Sequence, residues 1–223
     1  MELNTVVLIP TIHRPDGLRR SLQTLKDTCG LPASVAADPG DKQAEEIARE
    51  FGATFSYCDA PKLGGANGWN QAMRNAPSYN GYFLGSDDIV FMPGWYDAVL
   101  RVLEEIGGDG LVGINDGRWK KAKVYKMCAT HYLMTRKFII EHNGGVAACP
   151  FYRCDWTDME ANERARRAGK WGWAEDALVT HIWLGPDSDE GYRNATAFRE
   201  QAKLIYGERK AKGFKNDFQP IIK

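Results

Sequence analysis

The chain has 223 residues, enough for one sizeable core with an appendage. Lysine plus arginine (29) equals aspartate plus glutamate (29), which removes any global electrostatic case for nucleic acid. No apolar run approaches the roughly 20 residues of a spanning helix. Four histidines and five cysteines show no zinc spacing, and with no signal peptide they point to a reducing, cytoplasmic setting.

Val6-Val7-Leu8-Ile9 reads as a first buried strand stopped by Pro10. After the loop Thr11 to Pro15, Asp16 is positioned to cap a helix with Leu18, Leu22 and Leu25 on one face. Ser34 to Ala37 is a second strand, the helix from about Asp41 carries Ile47, Ala48 and Phe51, and Ala53 to Cys58 is a third strand. This β-α-β-α-β order predicts right-handed crossovers and a parallel sheet. A glycine loop, Gly64-Gly65, precedes a helix from about Asn67, and glycines there let a phosphate approach backbone N–H groups. The spacing matches neither a P-loop nor a GxGxxG fingerprint, so a simple loop fits equally well.

Tyr82-Phe83-Leu84-Gly85-Ser86-Asp87-Asp88 is an apolar strand that ends in two adjacent carboxylates. Such a pair repels itself unless a cation lies beside it, and the carboxyl ends of parallel strands form the ligand crevice of open α/β sheets. The pattern reads as a divalent-metal site or as a polar loop. Further along come a helix from Trp95 to Ile106, a strand Leu111 to Ile114, and a polar loop or hairpin from Asn115 to Lys123. Val124 to Met134 has β character, and Thr135 caps a short helix to His142. A connection over 146–155, a helix from Thr157 to Ala168 and a last strand Ala177 to Trp183 complete the pattern. The tail holds a helix, Ala195 to Tyr206, and then a basic stretch of Arg209, Lys210, Lys212 and Lys215 that reads as a solvated face.

Asp38, Asp87/Asp88, Asp158 and His181 all fall at strand ends or at a helix start after one, so in a parallel sheet they converge on one edge. Oxygen ligands from Asp88 suit Mg2+ or Mn2+, and an imidazole from His181 shifts the preference to Mn2+. His181 also fits a hydrogen-bonded, half-buried histidine. Asp158 fits a general base or a helix-capping acid, a role for which Asp155 and Thr157 compete. Trp171, Trp173 and Tyr132 fit either an apolar wall for a ligand or plain core.

These residues together resemble the GT-A-fold nucleotide-sugar glycosyltransferases of the large inverting family 2 type. Val7 to Leu18 is similar to that family's opening strand and loop, of the form IPTYNRP. Gly65-Ala66-Asn67-Gly68-Trp69-Asn70 resembles its glycine- and asparagine-bearing segment, Ser86-Asp87-Asp88 its variant DxD motif, and Thr157-Asp158 its ED motif with Thr157 in place of the first acid. Val179-Thr180-His181 is similar to its late metal histidine.

The resemblance implies an α/β fold: a single GT-A (Rossmann-like) domain over 1–184, with a mostly parallel sheet, a nucleotide-donor half (1–93) and an acceptor half (94–184). Residues 185–223 form a helical tail. It implies metal-dependent transfer of a sugar, with inversion, from a nucleoside-diphosphate sugar (a UDP-sugar favoured) to a hydroxyl acceptor whose identity the sequence leaves open. Donor contacts would come from Pro10, Thr11, Arg14, Asp38, Gly65, Asn67, Asn70, Ser86 and Asp87, with Asp38 on the nucleobase and Asp87 near the ribose. Mn2+ or Mg2+ would sit on Asp88 and His181. Asp158 would be the base, and Asp155 the candidate to replace the acid lost at Thr157. A non-catalytic binding module of the same shape is the alternative.

Overall fold

The computed structural model describes residues 3–59, 64–117, 128–153, 155–182 and 197–223. In chain order its elements are β1 (Thr5–Thr11), α1 (Pro15–Thr28), β2 (Ala33–Ala37), α2 (Lys42–Glu50), β3 (Thr54–Tyr57) and α3 (Gly65–Arg74). There follow β4 (Gly81–Leu84), β5 (Ile89–Phe91), α4 (Trp95–Glu105), β6 (Leu111–Asn115), β7 (Tyr132–Thr135) and α5 (Arg136–His142). The last are α6 (Thr157–Arg167), β8 (Trp171–His181) and α7 (Arg199–Ala211).

The strands form a sheet in the order β3-β2-β1-β4-β7-β6-β8-β5. The first four are parallel neighbours. β7 then runs antiparallel between β4 and β6, β8 is parallel to β6, and β5 closes the edge antiparallel to β8. Two reversals at β7 restore the direction of β4 in β6 and β8. The carboxyl ends of β1, β2, β4, β6 and β8 therefore share one edge of the sheet. The amino end of β7 joins them.

Alternation along the strands sends side chains to opposite faces. Val7, Ile9, Phe83, Val112 and Leu133 face α1, α2 and α4, where they meet Leu18, Leu22, Ile47, Val99 and Leu103. Val6, Leu8, Tyr82, Leu84 and Met134 face α3, α5 and α6, meeting Met73, Phe138, Ile139, Ala161 and Ala165. Both faces are covered, as the unbroken apolar runs require. A smaller cluster of Cys149, Tyr152, Ala202, Tyr206 and Phe214 seats α7 on the connection before α6.

Several expectations shift. The strand expected to run to Asp88 stops at Leu84: the chain turns at residues 85–88, and Ile89–Phe91 forms a further strand that pairs with β8. The last strand starts earlier than its apolar run, at Trp171, because β6 pairs with Trp171 to Ala174. Asp16 lies inside the first turn of α1, whose N-cap is Arg14. The strand expected from Val124 begins at Tyr132, and residues 124–127 lie outside the described residues, as do 118–123, Trp183 and the expected start of the tail helix at Ala195. The tail helix continues to Ala211.

The basic stretch is not a uniform solvated face. Arg209 is buried, donating from Nε and Nη2 to Glu160 at 2.8 and 3.0 Å and from Nη1 to Asp217 at 2.9 Å. Glu160 is 1% exposed and also accepts from Arg164 Nη2 at 2.7 Å and Tyr152 Oη at 2.8 Å. Burial works to raise the Glu160 carboxyl, but the Arg209 and Arg164 guanidiniums outweigh it and hold the group below its usual range. A depressed carboxylate contributes stability above its unfolded pKa of about 4.3, lost as pH falls through the lower folded value. Arg209→Met should destabilise the chain by about 3 kcal/mol, because it removes one partner of a buried charge. Denaturant melts at neutral pH would measure this, and the acid-unfolding midpoint should move to higher pH.

Candidate metal and active site

The turn of residues 85–88 is held from every side. Gly85 O accepts from Trp69 Nε1 at 2.7 Å, Ser86 O from Ser21 Oγ at 3.0 Å, and Asp88 O from the Ile182 amide at 2.7 Å. Asp87 O lies against Gly17, where a Cβ would come within 2.6 Å, so α1 needs a glycine at that point. These contacts bind the turn to α3, α1 and the end of β8, and they fix where its two carboxylates point.

Asp87 is 3% exposed and accepts from Thr11 Oγ1 at 2.7 Å and Arg14 Nη1 at 3.2 Å. Burial and the neighbouring Asp88 charge push it up to about 6, although Arg14 and Thr11 pull the other way. One guanidinium thus under-compensates two buried acids. The loop that presents Arg14 is fastened by Asp41, which accepts from the His13 amide at 2.9 Å and caps α2 through Ala44 N at 3.1 Å.

Asp88 is 8% exposed and accepts from Ser86 Oγ. Its Oδ2 lies 3.1 Å from His181 Nε2. The pairing of β5 with β8 brings them together, because it sets Ile89, the residue after Asp88, opposite His181. On the far side of that imidazole, Asp116 Oδ2 lies 3.6 Å from Nδ1. His131 completes the group, its ring centroid 5.1 Å from that of His181. Ligand atoms of Asp88, His131 and His181 all lie within 4.8 Å of one another. His131 Nδ1 lies 3.2 Å from Leu84 O. A carbonyl only accepts, so Nδ1 carries the proton and Nε2 offers a lone pair. One carboxylate oxygen and two imidazoles at this spacing fit a divalent cation, with a preference for Mn2+ over Mg2+. Asp116 behind His181 has the place of a carboxylate that orients a metal-bound histidine.

Sequence reasoning missed His131 and Asp116. Both were visible as residue types, but His131 falls inside the β run expected over 124–134 and Asp116 inside the polar run over 115–123. The antiparallel course of β7, which sets Tyr132 opposite Leu84, carries His131 to the carboxyl edge.

Asp158 lies in the first turn of α6, Oδ1 accepting from Met159 N at 2.8 Å. The N-cap is Trp156, so neither Asp155 nor Thr157 caps the helix. Thr157 is buried, and its hydroxyl finds no hydrogen-bond partner among the described residues. Asp155 accepts from Arg199 Nε at 2.8 Å. Cys128 lies beside Asp158; burial, together with that carboxylate, pushes the thiol up. Tyr132 is buried beside the same acid, its phenol pushed up by burial and then by Asp158. His131 and Tyr132, adjacent at the start of β7, thus link the Asp88–His131–His181 group to Asp158. Tyr132 belongs to the core, and Trp171 and Trp173 pack at its margin, Trp171 Nε1 bonding Asn162 Oδ1 at 2.8 Å.

The remaining sequence candidates divide. Asp38 follows β2 at the same edge, half-buried. Gly65 and Asn67 lie half-buried in the first turn of α3. Pro10 abuts Gly68, where a Cβ would come within 2.6 Å of its ring. Asn70 uses both ends of its amide on the backbone of Ala148, at 2.7 and 3.0 Å. The glycine of closest approach, Gly64 (φ 85°), meets the Arg153 carbonyl, which also accepts from the Ala66 amide at 3.2 Å. That loop closes on the chain's own backbone.

No protein-family model matches the chain, and no curated protein does. Solved structures do. A mannosyltransferase from Pyrobaculum calidifontis, in complex with GDP-Man and Mn2+, superposes with a TM-score of 0.72 at 12% identity, over 95% of this chain and 65% of that one. S. aureus TarS 1-349 in complex with UDP-GlcNAc gives 0.65 at 12%, over 82% and 60%. Glucosyl-3-phosphoglycerate synthase from Mycobacterium tuberculosis, with Mn2+, UDP and glucosyl-3-phosphoglycerate, gives 0.63 at 12%, over 90% and 80%. The chain thus spans under two thirds of the length of the first two. It has the α/β GT-A fold of these nucleotide-sugar glycosyltransferases.

Proposed function

We propose that the chain is a glycosyltransferase that moves a sugar from a nucleoside-diphosphate sugar, UDP-sugars first, to a hydroxyl acceptor with inversion. The observation that carries this reading is the Asp88–His131–His181 group, its first two members buried, beside the buried Asp87. The shared fold adds support, since three of its solved examples hold such nucleotides and two of those hold Mn2+.

In this reading Asp88, His131 and His181 hold Mn2+ or Mg2+, with Asp116 orienting His181. The bound cation supplies charge neutralisation for the departing diphosphate. Arg14 and Thr11 hold Asp87 ready for the ribose, Asp38 meets the nucleobase, and Ser86 keeps Asp88 in place. Pro10, Gly65 and Asn67 line the donor's approach, while Asn70 acts indirectly by holding the 148 loop. The 1–93 half takes the donor, the 94–184 half the acceptor. Asp158 removes the acceptor hydroxyl proton as the oxygen attacks the sugar's anomeric carbon. The bond from that carbon to the diphosphate oxygen breaks, and its electron pair leaves with the nucleoside diphosphate. Attack opposite to the leaving group inverts the configuration. Among the described residues no helix is long and apolar enough to cross a membrane, and none of the described cysteines is in a disulfide, which suits a cytoplasmic setting.

Thr157 favours a second reading, a non-catalytic module that only binds the nucleotide sugar. Donors would first be ranked by thermal shift, with UDP- and GDP-sugars in Mn2+, since native-state ligands raise stability by mass action. Release of nucleoside diphosphate from the best of them then separates the readings. Asp158→Asn should lower that release by about 100-fold or more while leaving the thermal shift intact; an unchanged rate removes Asp158 as the base. Asp116→Asn should weaken Mn2+ binding about 10- to 100-fold and His131→Ala more. Calorimetry would measure both, and equal affinities would remove the metal assignment.

A further inference from the structure

The turn that carries Asp158 is fastened to the C-terminal helix at three points. Before it, Asp155 accepts from Arg199 Nε at 2.8 Å, and the Trp156 ring packs on Tyr206 with centroids 5.0 Å apart. After it, Glu160 takes the paired bonds from Arg209. Met159 joins Trp156 in the apolar cluster built on Ala202, Tyr206 and Phe214. Arg199, Tyr206 and Arg209 all belong to α7.

Trp156 itself is in the left-handed region, φ 75° and ψ −10°. A bulky residue there is strained, and such strain persists only where the surroundings over-determine it. The Trp156 ring packs on Tyr206 of α7, against a cluster that also holds Ala202 of α7 together with Cys149, Tyr152 and Phe214. Helical periodicity then sets Asp158 on the face opposite Trp156 and Glu160. The clamp therefore grips the back of the turn and leaves the carboxylate towards Cys128 and Tyr132.

We propose that α7 is a positioning element for the general base: Tyr206 and Arg209 hold Trp156 and Glu160, and through them they set the direction of Asp158. This rests on the assignment of Asp158 as the base. It gives the tail a share in the chemistry that its basic composition does not suggest. Tyr206 and Arg209 touch no substrate in this account; they act only through Trp156 and Glu160.

Tyr206→Leu keeps an apolar side chain in the cluster and removes the ring contact. The donor chosen by thermal shift is used with Mn2+, and nucleoside diphosphate release is followed. The expected result is a kcat about tenfold lower with a donor KM within twofold of the parent. In an Asp158→Asn background the same substitution should change the residual rate less than twofold, because the two act on one step. Amide exchange over 155–162 should speed up in Tyr206→Leu and in Arg209→Lys, and this readout does not depend on turnover. An unchanged kcat, an equal loss in both backgrounds, or unchanged exchange at this turn would overturn the proposal. If those results come with an Asp158→Asn variant that is inactive, the base assignment stands and only the positioning role falls. If Asp158→Asn is fully active, both fall together.

Discussion

Two adjacent carboxylates are buried at the end of β4, and most of the surrounding architecture answers that charge. Left alone, the pair would be driven towards protonation by burial and mutual repulsion, as Asp87 is. The chain meets the two acids in different ways. Asp87 is given a guanidinium and a hydroxyl from the loop after β1. Asp88 is given an imidazole from the end of β8, and a second imidazole from the start of β7 stands close enough to share a cation. The separation of roles is therefore made by strand topology, since each acid faces a different part of the chain. The close contacts at Gly17, Trp69, Ser21 and Ile182 keep the turn from relaxing away from this arrangement.

Much of this edge was legible in the sequence for one physical reason. Apolar strands with helices between them imply right-handed crossovers, and crossovers imply that polar residues after strands gather at one edge. Thr11, Asp38, Asp87, Asp88 and His181 all follow that rule. The rule fails for β7. A strand inserted antiparallel brings its amino end to the same edge, so His131 was invisible to a search of carboxyl ends. Asp116 was hidden for a different reason: it lies in a polar segment, and nothing local separates a residue beside an imidazole from a solvated one. Ile89–Phe91 is a three-residue strand, too short for its own periodicity to mark it, and only its pairing with β8 identifies it.

The motif-bearing helix α3 shows the opposite limit. Its glycines and asparagine have the composition of a phosphate-binding segment. In the fold, Gly64 makes room for the Arg153 carbonyl and Asn70 clasps Ala148. Small residues permit close approach, and the sequence does not say whether a ligand or another segment of backbone comes close. The tail illustrates the same point for charge. Arg209 sits in a run of basic residues, yet it lies buried against Glu160, while its neighbours on the helix remain exposed. That burial connects a segment far along the chain to the helix of Asp158.

The central claim is that Asp88, His131 and His181 form one cation site shared with a nucleoside diphosphate. The most direct test is a titration of the purified chain with Mn2+ followed by the electron paramagnetic resonance signal of the free ion, with and without UDP. The account predicts one Mn2+ bound per chain, held at least tenfold more tightly when UDP is present, because the diphosphate oxygens add ligands to the three from the protein. Binding that is absent in both conditions, or that is identical with and without UDP and with GDP in its place, would contradict it.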